Sequence, residues 1–292
     1  MVPPTPDWVG SPSADAVFLV GGAGRMSDLT ISDRHFDSIS SVDAVKVREY
    51  DHVVIERCTF SNIDEAINLQ LSTDITIRNC AFWNINDGQT VGGHHILCDK
   101  CDTVVIEDCC FYNKTAAPGA TDTIDIYLTD NVIIRRCFFM GTGNKVWNAT
   151  MVLGDGPDVV NGGGDNLLAE DNVVIDGPIT VIGTNCVVRR NVVLMRGLVP
   201  AQDGMAGAIS TDSGSYPDNP IGPIEVSDNL CLSYDSTGTP DRFPINAWPP
   251  NSNGNTGVAS NQTGITGIAS NPVNPLIDEY SRWNISGYYG AP

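Results

Sequence analysis

An all-β solenoid, a stack of similar coils, is the fold that this 292-residue sequence predicts. Three observations carry that expectation: a motif recurring in fixed order, apolar residues alternating at every second position, and no stretch with helical spacing. One coil of this kind cannot bury its own apolar face, whereas stacked coils share a continuous core.

The motif is plainest in four stretches: VVIERCTF (53–60), ITIRNCAF (75–82), VVIEDCCF (104–111) and VIIRRCFF (132–139). Ile, a charged residue, Cys and Phe recur in the same order, anchored on Cys58, Cys80, Cys109 and Cys137. Upstream, DLTISDRHF fits the frame with Phe36 in the aromatic place and Arg34 in the cysteine place. Downstream the frame continues with Asn172, Asn191 and Asn229 in place of Cys, giving about eight coils. Before each anchor lies a second alternating run, Val45/Val47, Ile67/Leu69, Ile96/Cys98 and Ile124/Ile126, separated from the first by a polar turn with Asp51, Asp74, Asp102 or Asp130. Each unit therefore reads as strand, turn, strand, turn, short strand and variable loop.

Stacking at the roughly 4.8 Å between neighbouring strands turns equivalent positions into ladders. Ile55, Ile77, Ile106 and Ile134 form an interior aliphatic ladder, and the phenylalanines an aromatic one. Cys or Asn sits at the inward bend, the thiol as a small hydrophobe and the amide bonded to neighbouring backbone. The charges between must face outward; Glu56, Arg78, Glu107, Arg135, Glu170 and Arg189 alternate in sign and read as a stabilising ladder.

The organisation expected is an irregular segment over 1–14, coils over 15–235 and an irregular wrap or cap over 236–292, where Pro, Gly, Asn and Ser dominate. Trp248, Trp283, Tyr288 and Tyr289 are candidates for capping the solenoid, for stacking on sugars or for contacts in a homotrimer, and the sequence leaves the three open. A net charge of −19 argues against a nucleic-acid partner, having no basic field to meet phosphates. No apolar run approaches the roughly 20 residues that span a bilayer, and the first residues lack the regions of a signal peptide. The nine cysteines fall mostly on interior positions and read as free thiols, including Cys98 of the CDKC stretch.

These coils resemble the right-handed parallel β-helix proteins of the pectate-lyase-like superfamily, which includes polysaccharide lyases, glycoside hydrolases and phage tailspike depolymerases. The resemblance covers about residues 15–235. It implies a polysaccharide partner, an extracellular or virion-associated location, and a cleft on the outer face of one sheet. The outward positions of the first strand in each coil read Lys46, Asn68, Leu97, Asp125 and Arg48, Gln70, Asp99, Tyr127, with His95 in a third row between Ala66 and Thr123.

The reading favoured is a lyase acting by β-elimination on an acidic glycan. Lys46, Arg48, His95 or Tyr127 would be the base, Asn68 and Gln70 would bind substrate, and Asp99, Asp122 and Asp125 would hold a cation such as Ca²⁺. A glycoside hydrolase is the alternative, since Asp99 and Asp125 on neighbouring coils fit the roughly 5–9.5 Å between catalytic carboxylates. The polygalacturonase-type NTD, GHG and RIK signatures are absent, and no lyase signature is present. A second candidate cation site is the GDGPDVVNGGGDN stretch, with Asp155, Asp158 and Asp165 among glycines. A non-catalytic glycan-binding or structural fibre component of a phage tail or cell surface is the reading from outside enzymology.

Overall fold

The computed structural model describes residues 17–20, 26–38, 43–85, 93–112, 123–140, 151–155, 164–175, 177–181, 183–196, 209–210, 224–234, 245–246 and 258–260. They form a right-handed parallel β-helix with three long sheets, two of nine strands and one of eight. Successive strands of one coil go to the three sheets in turn, as Asp43–Arg48 to the first, Tyr50–Glu56 to the second and Thr59–Ser61 to the third, so neighbours within a sheet come from successive coils. Every pairing is parallel. Ile245–Asn246 and Val258–Ser260 supply the ninth rung of two sheets, beyond the last repeat legible as a motif.

The aliphatic ladder is present as expected: Ile55 pairs with Ile77, Ile77 with Ile106 and Ile106 with Ile134, all fully buried. Phe36, Phe60, Phe82, Phe111 and Phe139 stack face to face at 5.0, 4.9, 4.6 and 4.5 Å, within 8° of parallel. Isolated aromatic pairs prefer offset or edge-on geometry, so the sheet's spacing imposes this arrangement. The inward corner behaves as the residue types require. Asn191 Oδ1 accepts from the backbone and side-chain amides of Asn172, and Asn229 Oδ1 accepts from those of Asn191. In earlier coils Cys58, Cys80, Cys109 and Cys137 thiols donate to carbonyls of the coil before. Cys58, Cys80, Cys98, Cys101, Cys109, Cys110, Cys137 and Cys186 are buried and form no disulfide.

Charged residues on the second sheet pair between coils: Arg78 with Glu56 at 2.6 Å, Arg135 with Glu107 at 2.8 Å, Arg189 with Glu170 at 2.9 Å. Each glutamate also receives a second guanidinium, from Arg57, Arg136 or Arg190. These arginines occupy the following turn, with φ of 52°, 53° and 54°. Long side chains seldom take that left-handed conformation, and the bridges offset its cost. The turn arginines also reach Asp33, Asp108 and Asp171, a second charged row that the motif did not reveal.

Within the stretch 154–166, Gly164 has a φ of 63°, and its missing Cβ would lie 2.3 Å from the Thr129 carbonyl oxygen. Glycine is there required by backbone packing.

Candidate functional site

The outer face of the first sheet carries side chains that do not repeat from coil to coil. Val45, Ile67, Ile96 and Ile124 point inward, so alternation sends Lys46, Asn68, Leu97 and Asp125 outward in one register, with Arg48, Gln70, Asp99 and Tyr127 in the next. Both rows stand where expected. The first is the deeper: Asn68 is 5% and Asp125 8% exposed, whereas Gln70, Asp99 and Tyr127 are half-buried and Arg48 is exposed.

At the strand starts, Asp43, Glu65 and His94 join the deeper row. Lys46 Nζ donates to Asp43 Oδ2 at 3.3 Å, and Asn68 Nδ2 donates to Asp43 Oδ1 at 3.2 Å. His94 Nε2 lies 3.3 Å from Asp125 Oδ2. Burial, then the negative charge of Asp43, pushes the Glu65 carboxyl up to about 7, against the opposing pull of His94 and Lys46. Protonated Glu65 can donate to its Asp43 neighbour. Four buried oxygens on this face, Glu65 Oε1, Asn68 Oδ1, Asp99 Oδ1 and Asp125 Oδ1, have no hydrogen-bond donor among the described residues.

His95 is a correction. It was expected on the outer face, but it is 3% exposed and packs edge-on against Phe82 and Phe111 inside the solenoid, with Ala66 and Thr123 also buried. The amides of His95 and Ile96 both donate to the Thr123 carbonyl, so strict alternation breaks before Ile96. A one-residue slip flips side chains between faces, and it is His94 that meets Asp125.

Of the proposed cation ligands, Asp99 and Asp125 stand on paired strands of the first sheet. Asp165 is exposed two residues before the second-sheet strand Leu167–Glu170, its amide donating to Asp130 Oδ1 at 2.7 Å. Asp155 ends the strand Met151–Asp155 in register with Tyr127, while Asp122 and Asp158 lie outside the described residues, as do Trp248, Trp283, Tyr288 and Tyr289. Among the described residues no three carboxylate, histidine or cysteine side chains gather as a metal-binding set, and no helix is long and apolar enough to cross a membrane.

Asp43, Glu65 and His94 were missed because they share the parity of the inward aliphatics. A signal existed: each stands at the same short offset before Lys46, Asn68 or Leu97.

No curated protein matches the sequence. Among solved structures, it is similar to the alginate lyase from Paenibacillus sp. str. FPU-7, at 11% identity and a TM-score of 0.39, over 81% of this chain and 89% of that one. A likeness of that size says nothing about chemistry. The family described as right handed beta helix region matches residues 11–193, more than half of the chain, and the ladders above are what such a match requires. The chain belongs to the right-handed β-helix family.

Proposed function

We propose that this protein is a polysaccharide-cleaving enzyme whose acid–base site is the outer face of the first sheet around Asp43, Glu65, His94 and Asp125. The observation that carries the reading is Glu65, 7% exposed and holding its proton up to about pH 7 beside Asp43, on the same face as Asp125. A carboxyl poised near neutrality is suited to protonating a leaving oxygen.

Hydrolysis is the reaction that these residues fit best. Glu65 gives its proton to the glycosidic oxygen as the bond to the anomeric carbon breaks. Asp125, contacted by His94, takes a proton from the water whose oxygen bonds to that carbon. Their strands, Glu65–Gln70 and Ile124–Tyr127, have Ile96–Asp99 between them, and the reading requires a water held between the two carboxyls, as inversion does. Elimination from a uronate would need a cation free to meet the sugar carboxylate. Lys46 is engaged by Asp43 and Arg48 by Glu49.

The test is a panel of neutral, amino and acidic polysaccharides, following new reducing ends and the ultraviolet absorbance of unsaturated uronate. Reducing ends without absorbance, lost on Glu65→Gln, are expected. Absorbance would establish elimination instead, and binding without cleavage would make the chain a glycan-binding or structural solenoid.

A further inference from the structure

The four orphaned acceptors say what kind of sugar this face can receive. Glu65, Asn68 and Asp125 are each more than nine-tenths buried, and each holds an oxygen lacking a donor among the described residues; Asp99 Oδ1, one row away, is in the same condition. A buried acceptor without a partner keeps an uncompensated desolvation cost, and a ligand supplying donors to these oxygens would offset it. The charges on the face point the same way. Asp43, Asp99 and Asp125 stand with a Glu65 that holds its proton, and the basic groups nearby are already engaged: Lys46 by Asp43, His94 by Asp125 and Arg48 by Glu49. A uronate chain would bring further acceptors and negative charge. Neutral hydroxyls would supply donors but leave the carboxylates uncompensated. A protonated amine supplies three donors and a positive charge together.

We propose that the first-sheet face recognises a glycan of free amino sugars, its ammonium groups seated among Glu65, Asn68, Asp99 and Asp125. This specificity rests on the cleavage reading above for its catalytic part, but not for binding. The chain's net charge of −19 would further concentrate a polycation at the surface.

The experiment compares, at mildly acidic pH, calorimetric binding of a glucosamine oligomer, its fully N-acetylated counterpart, a neutral glucose oligomer and an oligo-uronate. The full chain is measured at low and high salt beside Asp99→Asn, Asp125→Asn and Glu225→Gln. Glu225 is exposed on the second sheet and controls for loss of a negative charge. The glucosamine oligomer should bind at least about tenfold more tightly than the other three, weaken with salt, and lose about tenfold in each Asp variant but not in Glu225→Gln. Equal or tighter binding of the acetylated, neutral or acidic chain would overturn the proposal, as would Asp variants that bind like wild type while melting normally. The two readings fail separately: Glu65-dependent cleavage of a neutral glycan without amine preference removes this inference alone. Amine-selective binding with no cleavage removes the enzyme alone.

Discussion

Two outer faces of the same solenoid both carry carboxylates and treat them in opposite ways. On the second sheet, Glu107 receives both Arg135 and Arg136, and Glu170 both Arg189 and Arg190. On the first sheet, Asp99 and Asp125 each keep an oxygen without a donor among the described residues, and Glu65 holds a proton in place of a cation. Translation from coil to coil explains the contrast. Where opposite charges alternate at one position, stacking delivers a partner to every group. Where residue types change from rung to rung, as from Lys46 to Asn68 to Leu97 to Asp125, stacking supplies partners to some atoms, as Asn68 to Asp43 and His94 to Asp125, and leaves others without one among the described residues. A partner must then come from elsewhere in the chain or from a ligand.

The sharpest way to break this comparison is to remove one carboxylate from each face. Glu65→Gln should lower cleavage by a factor on the order of 100 or more, while Glu107→Gln should leave turnover per folded molecule unchanged. Initial rates on the glycan found in the panel, normalised to folded protein, check this. A loss in the Glu107 variant equal to that in Glu65 would erase the functional distinction between faces.

The next effect is on stability. Glu65 binds its proton more tightly when folded, at about 7 against an ordinary 4.5, so the folded state carries more protons between those values. Stability attributable to this group is therefore full below about pH 4.5 and declines as pH rises towards 7. Glu65→Gln should flatten that decline and raise stability above neutrality by an amount on the order of 2 kcal/mol. Denaturant melts across that pH range measure it, and a parallel pH dependence in both proteins would contradict the assignment.

A smaller change is expected from the second sheet. Arg135→Glu would set three acidic residues in a row between Glu107 and Glu170, costing about 0.5–1 kcal/mol at low salt and less at high salt. Lost activity at an unchanged melting temperature would instead give the ladder a role in catalysis.

The ladders were legible because a repeat states the same fact many times. Ile55, Cys80 and Phe111 each have equivalents in neighbouring coils, so an error at one is outvoted. The outward rows followed from the same frame, which placed Asn68, Asp99 and Asp125 on one face. The strand starts were not legible, because alternation is a rule for regular backbone and His95 shares its acceptor carbonyl with Ile96. A break of that kind changes which of His94 and His95 reaches the outer face while leaving composition and spacing untouched. Arg57, Arg136 and Arg190 escaped for a related reason: their left-handed turn aims them back at glutamates that the motif had already matched.

Those left-handed corners bear on how the chain assembles. Twenty-two described residues other than glycine hold positive φ, among them Leu71, Lys100 and Leu128, none of which favours it in a free peptide. An isolated coil has little reason to bend at these places; a coil laid against a finished neighbour is held there by the neighbour's amides and carbonyls. Growth is thus templated, each new turn copying the path of the last, in the manner of a one-dimensional crystal whose slow step is its first layer.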